Sequence, residues 1–139
     1  MHTALLLEMA AEAFGDRTAV GSADDGLTFG ELAARARGGG AWLQSLSAEA
    51  VVFVGLNGPA VPTAIFASAE IGKPFVPLNY RLSDEDLSRL LARTAPSVAI
   101  VDDDMLPRLA ETPGVIVRSR SEFDAACLAD DHRATTLDA

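Results

Sequence analysis

The sequence has little of what several common classes of protein depend on. It contains one cysteine, Cys127, and two histidines, His2 and His132, so neither an internal disulfide nor a Cys/His metal site is expected. The lone thiol fits a reducing compartment, and we expect a cytoplasmic protein. No apolar run approaches the roughly eighteen residues that a membrane span needs, so stable membrane insertion is not expected.

Positive charge is also scarce. Eleven Lys and Arg residues stand against twenty Asp and Glu, which gives a net charge of −9. Proteins that bind nucleic acids or anionic membrane surfaces use clustered cations, and here the cations are scattered along the chain. Neither partner is therefore expected.

The apolar residues that are present alternate between strand-like and helix-like patterns. Continuous apolar runs at 50–56, 74–78, 97–102 and 114–118 are typical of parallel strands that are buried on both faces. Helices are predicted between and after them, at 57–72, 83–94, 104–111 and 121–128. The order predicts an α/β fold with a mainly parallel sheet flanked by helices.

The length of 139 residues suits one such unit over residues 1–139. Residues 129–139 have no periodicity and are interpreted as a tail or linker.

The N-terminal segment predicts a helix followed by a small hairpin. The helix is expected from Thr3 to about Phe14, and its hairpin turn at Asp24-Asp25-Gly26. The apolar stripe of this helix is predicted to be Leu6, Met9, Ala10 and Ala13.

Two later helices have capping signals. Thr28 with Glu31 is a capping box, and Ser83 with Asp86 three residues later is a second N-cap signal. The apolar stripes expected on these two helices are Leu32, Ala36, Leu43 and Leu46 on the first, and Leu87, Leu90 and Leu91 on the second.

Three consecutive glycines, Gly38 to Gly40, lie inside the first of these capped helices. Each costs about 1 kcal/mol relative to alanine in a helix interior, so we expect this element to kink or break, or else to pack closely against another helix. A phosphate-binding loop is disfavoured because no strand precedes the glycines and no Lys-Ser/Thr follows them.

Asp102, Asp103 and Asp104 follow a predicted strand and could ligate Mg²⁺. With Lys73-Pro74 they suggest a phosphoacceptor receiver domain, but the Lys-Pro precedes the acidic run, which is the wrong order. We favour a helix N-terminus, whose dipole attracts negative charge. Cys127 is interpreted as a small apolar residue rather than a nucleophile.

Four motifs occur in the order and spacing of a known family. They are DRTAV (16–20), LTFGEL (27–32), VVFVGLNGP (51–59) and IGKPFVPLNYRLSDEDL (71–87). Over about residues 5 to 102 the chain resembles the N-terminal region of adenylate-forming, AMP-binding enzymes, and in particular an acyl-CoA synthetase (fatty-acid–CoA ligase).

The resemblance implies part of that family's large N-terminal domain, in a protein that activates a carboxylic acid, expected to be a fatty acid, with ATP, Mg²⁺ and coenzyme A. The family's phosphate loop and catalytic Lys have no counterpart in these residues. We therefore assign no catalytic, cofactor-binding or metal residue, and we expect an inactive scaffold fragment that binds none of these cofactors by itself.

The expected partners of such a fragment are the remainder of the enzyme and, for the isolated chain, a second copy. The alternative is a stand-alone, non-catalytic α/β binding or interaction module.

The resemblance also predicts a phosphate-binding segment encoded beyond Ala139. ATP phosphates need a flexible backbone cradle with hydroxyl and ammonium donors, so a Ser/Thr/Gly-rich segment ending in Lys is expected within about thirty residues. Sequencing the reading frame beyond Ala139 checks this expectation, and a stop codon there, or a continuation without such a loop, would favour the interaction module.

Overall fold

The computed structural model describes residues 3–20, 26–56 and 58–129, where helices and strands alternate from Val51 onward. The helices are α1 (Thr3–Phe14), α2 (Phe29–Ser45), α3 (Ala60–Glu70), α4 (Asp84–Arg93), α5 (Leu106–Leu109) and α6 (Arg120–Cys127). The strands are β1 (Thr18–Val20), β2 (Leu27–Thr28), β3 (Val51–Val54), β4 (Phe75–Leu78), β5 (Ser97–Val101) and β6 (Val115–Ser119). A 3-10 turn, Asp103–Met105, precedes α5.

Some of the predicted features lie outside the described residues. These are the turn residues Asp24 and Asp25, the helix start at Asn57, the two histidines and almost all of 129–139. The hairpin itself is confirmed, because β1 and β2 pair antiparallel.

Strands β3 to β6 form one parallel sheet in the order β4-β3-β5-β6, which confirms the predicted fold class. Along the chain, β4 is added on one side of β3 and β5 on the other. The order therefore reverses between β3 and β5, and such a reversal is the topological switch point of an open α/β sheet.

The sheet is covered on both faces. Val51, Phe53, Val98 and Ile100 pack with residues of α2, α3 and α6, while the alternate strand residues Val52, Val54, Ala99 and Val101 pack with α4 and α5. This alternation is the period of two that a strand imposes. A third cluster joins α1, β2 and α2.

Strand β4 corrects one expectation. The run at 74–78 was expected to be buried on both faces like its neighbours, but β4 is an edge strand whose residues are only partly buried, with Pro77 exposed. Proline has no N–H to give to a further strand, so it is tolerated at an edge.

Helix α2 corrects a second expectation, the one about the glycine triplet. It runs without a break from Phe29 to Ser45 through the glycine triplet, so the predicted kink is wrong and the alternative, close helix packing, is confirmed. A Cβ on Gly39 would lie 2.9 Å from both the Cys127 Sγ and a Phe123 ring carbon, and one on Gly40 would lie 3.2 Å from the Ala67 carbonyl oxygen. The capping box at Thr28 and Glu31 is present as predicted.

Helix α1 exposes much of the stripe that was predicted to be its apolar face. Leu6 and Met9 are 52% and 51% exposed, whereas Ala4 and Leu7 are buried. Nine of the twelve residues of α1 are apolar, so periodicity alone does not select the buried side. No helix in the described ranges is both long enough and apolar enough to cross a membrane.

A short turn joins β4 to α4. The Asn79 side-chain oxygen accepts the Arg81 N–H at 2.9 Å, and Ser83 caps α4 by accepting the Asp86 N–H at 3.2 Å. Arg81 and Asp84 are exposed. The Asn79 amide therefore closes the turn with a side-chain hydrogen bond.

This contrast gives a stability prediction. Asn79→Ala is expected to lower the free energy of unfolding by about 1 kcal/mol through loss of the turn hydrogen bond, and Arg81→Ala by less because the side chain is exposed. Urea unfolding followed by circular dichroism measures both. A larger loss from Arg81→Ala would contradict the assignment.

Candidate functional site

The carboxyl ends of β3 and β5 meet at the switch point of the sheet. In open α/β sheets, ligands bind in the crevice formed by the loops that extend from the strands there. Residues 55–59 come after β3, Asp102 after β5, and Arg120 after β6 at the start of α6. This carboxyl edge is the candidate functional site.

An ion pair joins the end of β5 to the start of α6 at this edge. The Arg120 Nη1 lies 2.9 Å from the Asp102 Oδ1, and the two side chains are only 21% and 16% exposed. The Arg120 guanidinium also lies 5.5 Å from the centre of the Phe53 ring, a cation–π distance. Since solvent screens this pair only partly, it is held more firmly than an exposed surface pair.

The same two side chains bind the backbone of Leu56 from both sides. The Leu56 N–H donates to the Asp102 Oδ2 at 2.9 Å, and the Leu56 carbonyl oxygen accepts from the Arg120 Nη1 at 2.7 Å. We call Asp102, Arg120 and the Leu56 peptide groups the Leu56 clamp. The clamp fixes the backbone of Leu56, while the residue itself is 54% exposed to solvent.

Two glycines make room for the clamp. A Cβ on Gly55 would overlap the Asp102 carboxylate, and one on Gly58 would lie 2.6 Å from the Arg120 Nη2. The spacing Gly55-Leu56-Asn57-Gly58 in the sequence thus reflects the space needed by the side chain that follows β5 and the one that begins α6.

A second link joins the segment after β5 to α6. The Ser121 N–H donates to the Asp103 Oδ1 at 3.0 Å, and the Ser121 hydroxyl donates to the other oxygen of that carboxylate. These hydrogen bonds, the hydroxyl one first, lower the pKa of Asp103. The carboxylate lies at the N-terminus of α6, which favours negative charge.

The acidic run therefore has structural partners. Asp102 binds Arg120 and Leu56, Asp103 binds Ser121, and Asp103–Met105 forms a 3-10 turn. Over the described part of the chain there is no group of three or more His, Cys, Asp or Glu that could hold a metal ion. The preferred interpretation, a helical N-terminus, agrees with the turn.

Cys127 is buried where α6 packs on α2, close to Gly38 and Gly39. Burial, followed by the charge of Asp124, raises the pKa of the thiol to about 12. A thiol with that pKa is almost entirely protonated at neutral pH, so the structural interpretation of Cys127 is supported. Burial also raises the pKa of Asp124, although Arg120 and Arg35 oppose the shift.

Sequence reasoning did not identify Arg120. It lies 18 residues from Asp102 and 64 from Leu56, in a segment that was interpreted only as the approach to a last helix. The glycine spacing in residues 55–58 was the available signal, because paired glycines in a loop indicate close approach by other groups.

Comparison with known proteins identifies a family that most of this chain matches. The model of the family described as "AMP-binding enzyme" matches residues 7–137. A feruloyl-CoA synthase from Amycolatopsis sp is 33% identical over 118 residues, which is 78% of this chain and 23% of that protein. An indoleacetate–CoA ligase from Aromatoleum aromaticum (strain DSM 19018 / LMG 30748 / EbN1) is 40% identical over 52 residues, which is 37% of this chain and 10% of that protein.

Solved structures share the fold. VinN superposes with a TM-score of 0.84 at 22% identity, over 97% of this chain and 37% of VinN. The N-terminal domain of FACL13 from Mycobacterium tuberculosis superposes with a TM-score of 0.79 at 20% identity, over 91% of this chain and 36% of that domain. The chain thus spans a quarter or less of the two relatives and little more than a third of these structures.

The clamp predicts unequal effects of alanine at its two glycines. Gly55→Ala is expected to cost about 1–3 kcal/mol of unfolding free energy, since the new methyl group meets a short, twice-bonded carboxylate. Gly58→Ala meets the end of a flexible arginine and should cost less. Chemical denaturation compares the two variants, and an equal or smaller loss for Gly55→Ala would contradict the geometry.

Proposed function

Because the chain belongs to the AMP-binding enzyme family, we propose that the protein of which it is part is an adenylate-forming acid–CoA ligase. Such an enzyme joins a carboxylate to the AMP moiety of ATP with release of pyrophosphate, and coenzyme A then displaces AMP to give the acyl-CoA. The observation that carries the proposal is the family match over 7–137, together with a relative named feruloyl-CoA synthase that is 33% identical over 118 residues.

The role proposed for this chain is that of a scaffold. Its sheet is covered by helices on both faces, and its carboxyl edge offers a fixed loop and an ion pair whose groups bind each other. The reacting groups, and the sites for ATP, Mg²⁺ and coenzyme A, are assigned to the rest of the protein. A cytoplasmic location remains a prediction.

The acyl substrate is proposed at the level of a carboxylic acid. The resemblance leads us to expect a fatty acid, while the two relatives are named for ferulate and indoleacetate, which are aromatic acids. Fatty and aromatic acids are therefore both candidate substrates, and a substrate panel should contain both.

The test is acid-dependent pyrophosphate release by the protein produced from the whole gene, with ATP, Mg²⁺ and coenzyme A. We expect release with at least one fatty or aromatic acid, and background release from the 139-residue chain alone. No activity with any acid would contradict the ligase proposal and favour the interaction module. Activity of the chain alone above a mock purification would contradict the scaffold role.

The surface beside α1 supports a proposal about partners. An apolar groove of about 370 Å³ runs between α1, α2 and α3, and we call it the α1 groove. Its lining residues are Leu6, Leu7, Ala10, Ala19, Phe29, Leu32, Pro62 and Phe66. Packing of another polypeptide against the groove would remove this apolar surface from water, which is favourable. We propose that the remainder of the enzyme covers it, and that the isolated chain self-associates through it.

Leu6→Glu is expected to reduce self-association of the isolated chain, because it places a charge in the α1 groove. Ala13→Glu is the matched control, since Ala13 is exposed on the same helix but does not line the groove. Light scattering over a range of concentrations measures the mass. A monomeric wild-type chain that binds no hydrophobic dye would contradict the proposal.

A further inference from the structure

The Leu56 clamp holds the backbone of Leu56 in the segment that follows β3. Gly55 and Gly58 have no side chains with which to anchor it, and glycine allows more backbone conformations than any other residue. The clamp binds both the N–H and the carbonyl oxygen of the intervening Leu56. It thereby joins the two loops that flank the switch point to the start of α6.

From this geometry we propose that Asp102 and Arg120 are positioning residues for the carboxylic acid, the one substrate whose site is not assigned to the rest of the protein. They act through the Leu56 backbone, and the inference rests on the ligase function proposed above. Within the clamp, Asp102 and Arg120 bind the Leu56 backbone and each other. Neither residue is therefore assigned a contact with the reacting atoms. Their effect is expected on substrate binding more than on the chemical step.

Arginine suits this role because its guanidinium is a planar fork of donors. One guanidinium nitrogen binds both the Asp102 Oδ1 and the Leu56 carbonyl oxygen, while the second lies against the space left by Gly58. Lysine would keep the charge without the planar fork. Arg120→Lys should therefore restore part of what Arg120→Gln loses.

Arg118→Gln is the matched control. Arg118 lies two residues earlier, and its ion pair with Glu122, at 3.4 Å, is more exposed, with side chains 39% and 50% accessible. Arg118 makes no contact with the Leu56 clamp among the interactions of the described residues. It tests whether loss of any neighbouring arginine has the same effect.

The first measurement is amide hydrogen exchange in the whole protein, read by mass spectrometry on peptides that contain Leu56. Asp102→Asn should speed exchange of the Leu56 amide about tenfold or more, because it removes the charge from the acceptor of that N–H. Arg120→Gln should also speed it, because the guanidinium holds both the Asp102 carboxylate and the Leu56 carbonyl oxygen. Peptides from β5 report whether the variants stay folded, and their exchange should not change. Unchanged exchange at Leu56, or equal acceleration in Arg118→Gln, overturns the proposal.

The second measurement is steady-state kinetics of the same variants. Arg120→Gln should raise the KM of the carboxylic acid severalfold while kcat stays within about twofold. This is the pattern expected when substrate binding is weakened and the chemical step is unchanged. Arg120→Lys should lie between wild type and Arg120→Gln. A fall in kcat at constant KM, or kinetics identical to wild type, overturns the proposal. An inactive wild type would reject the ligase function instead, and the exchange comparison would still decide whether the clamp holds the loop.

Discussion

The close approach of α2 to α3 and α6 determines how one face of the sheet is covered. At Gly38, Gly39 and Gly40 the helix has no side chains, so the carbonyl oxygen of Cys127 and the ring of Phe123 lie within 3 Å of the positions that Cβ atoms would take. The packing gained offsets the roughly 1 kcal/mol that each glycine costs a helix. Because α6 begins with Arg120, its seating against α2 also helps to place the guanidinium at the carboxyl edge.

The carboxyl edge is held by charged groups, although the sheet itself is apolar. Asp102 and Arg120 are partly withdrawn from solvent, and each also binds a peptide group of Leu56. The attraction within such a partly buried ion pair offsets the free energy of desolvation only when the remaining donors and acceptors are also hydrogen-bonded. The Leu56 peptide groups supply such partners, so the ion pair and the loop support one another.

The features that sequence reasoning located well are local ones. Caps at Thr28 and Ser83 formed as predicted, because a side chain and a backbone N–H three residues away are sufficient for them. The predictions that were wrong depend on packing between elements. They concern the burial of β4, the buried side of α1 and the effect of the glycine triplet on α2. Each depends on what packs against the element, and a single sequence does not show that.

The sequence by itself determined the class of fold, the order of its strands and helices, and the family, since these depend on apolar periodicity and on motifs read along the chain. Only the tertiary structure decided the strand order β4-β3-β5-β6 and the meeting of Leu56, Asp102 and Arg120. Those residues are distant in the chain and become neighbours because the parallel strands that precede them end at the same edge of the sheet.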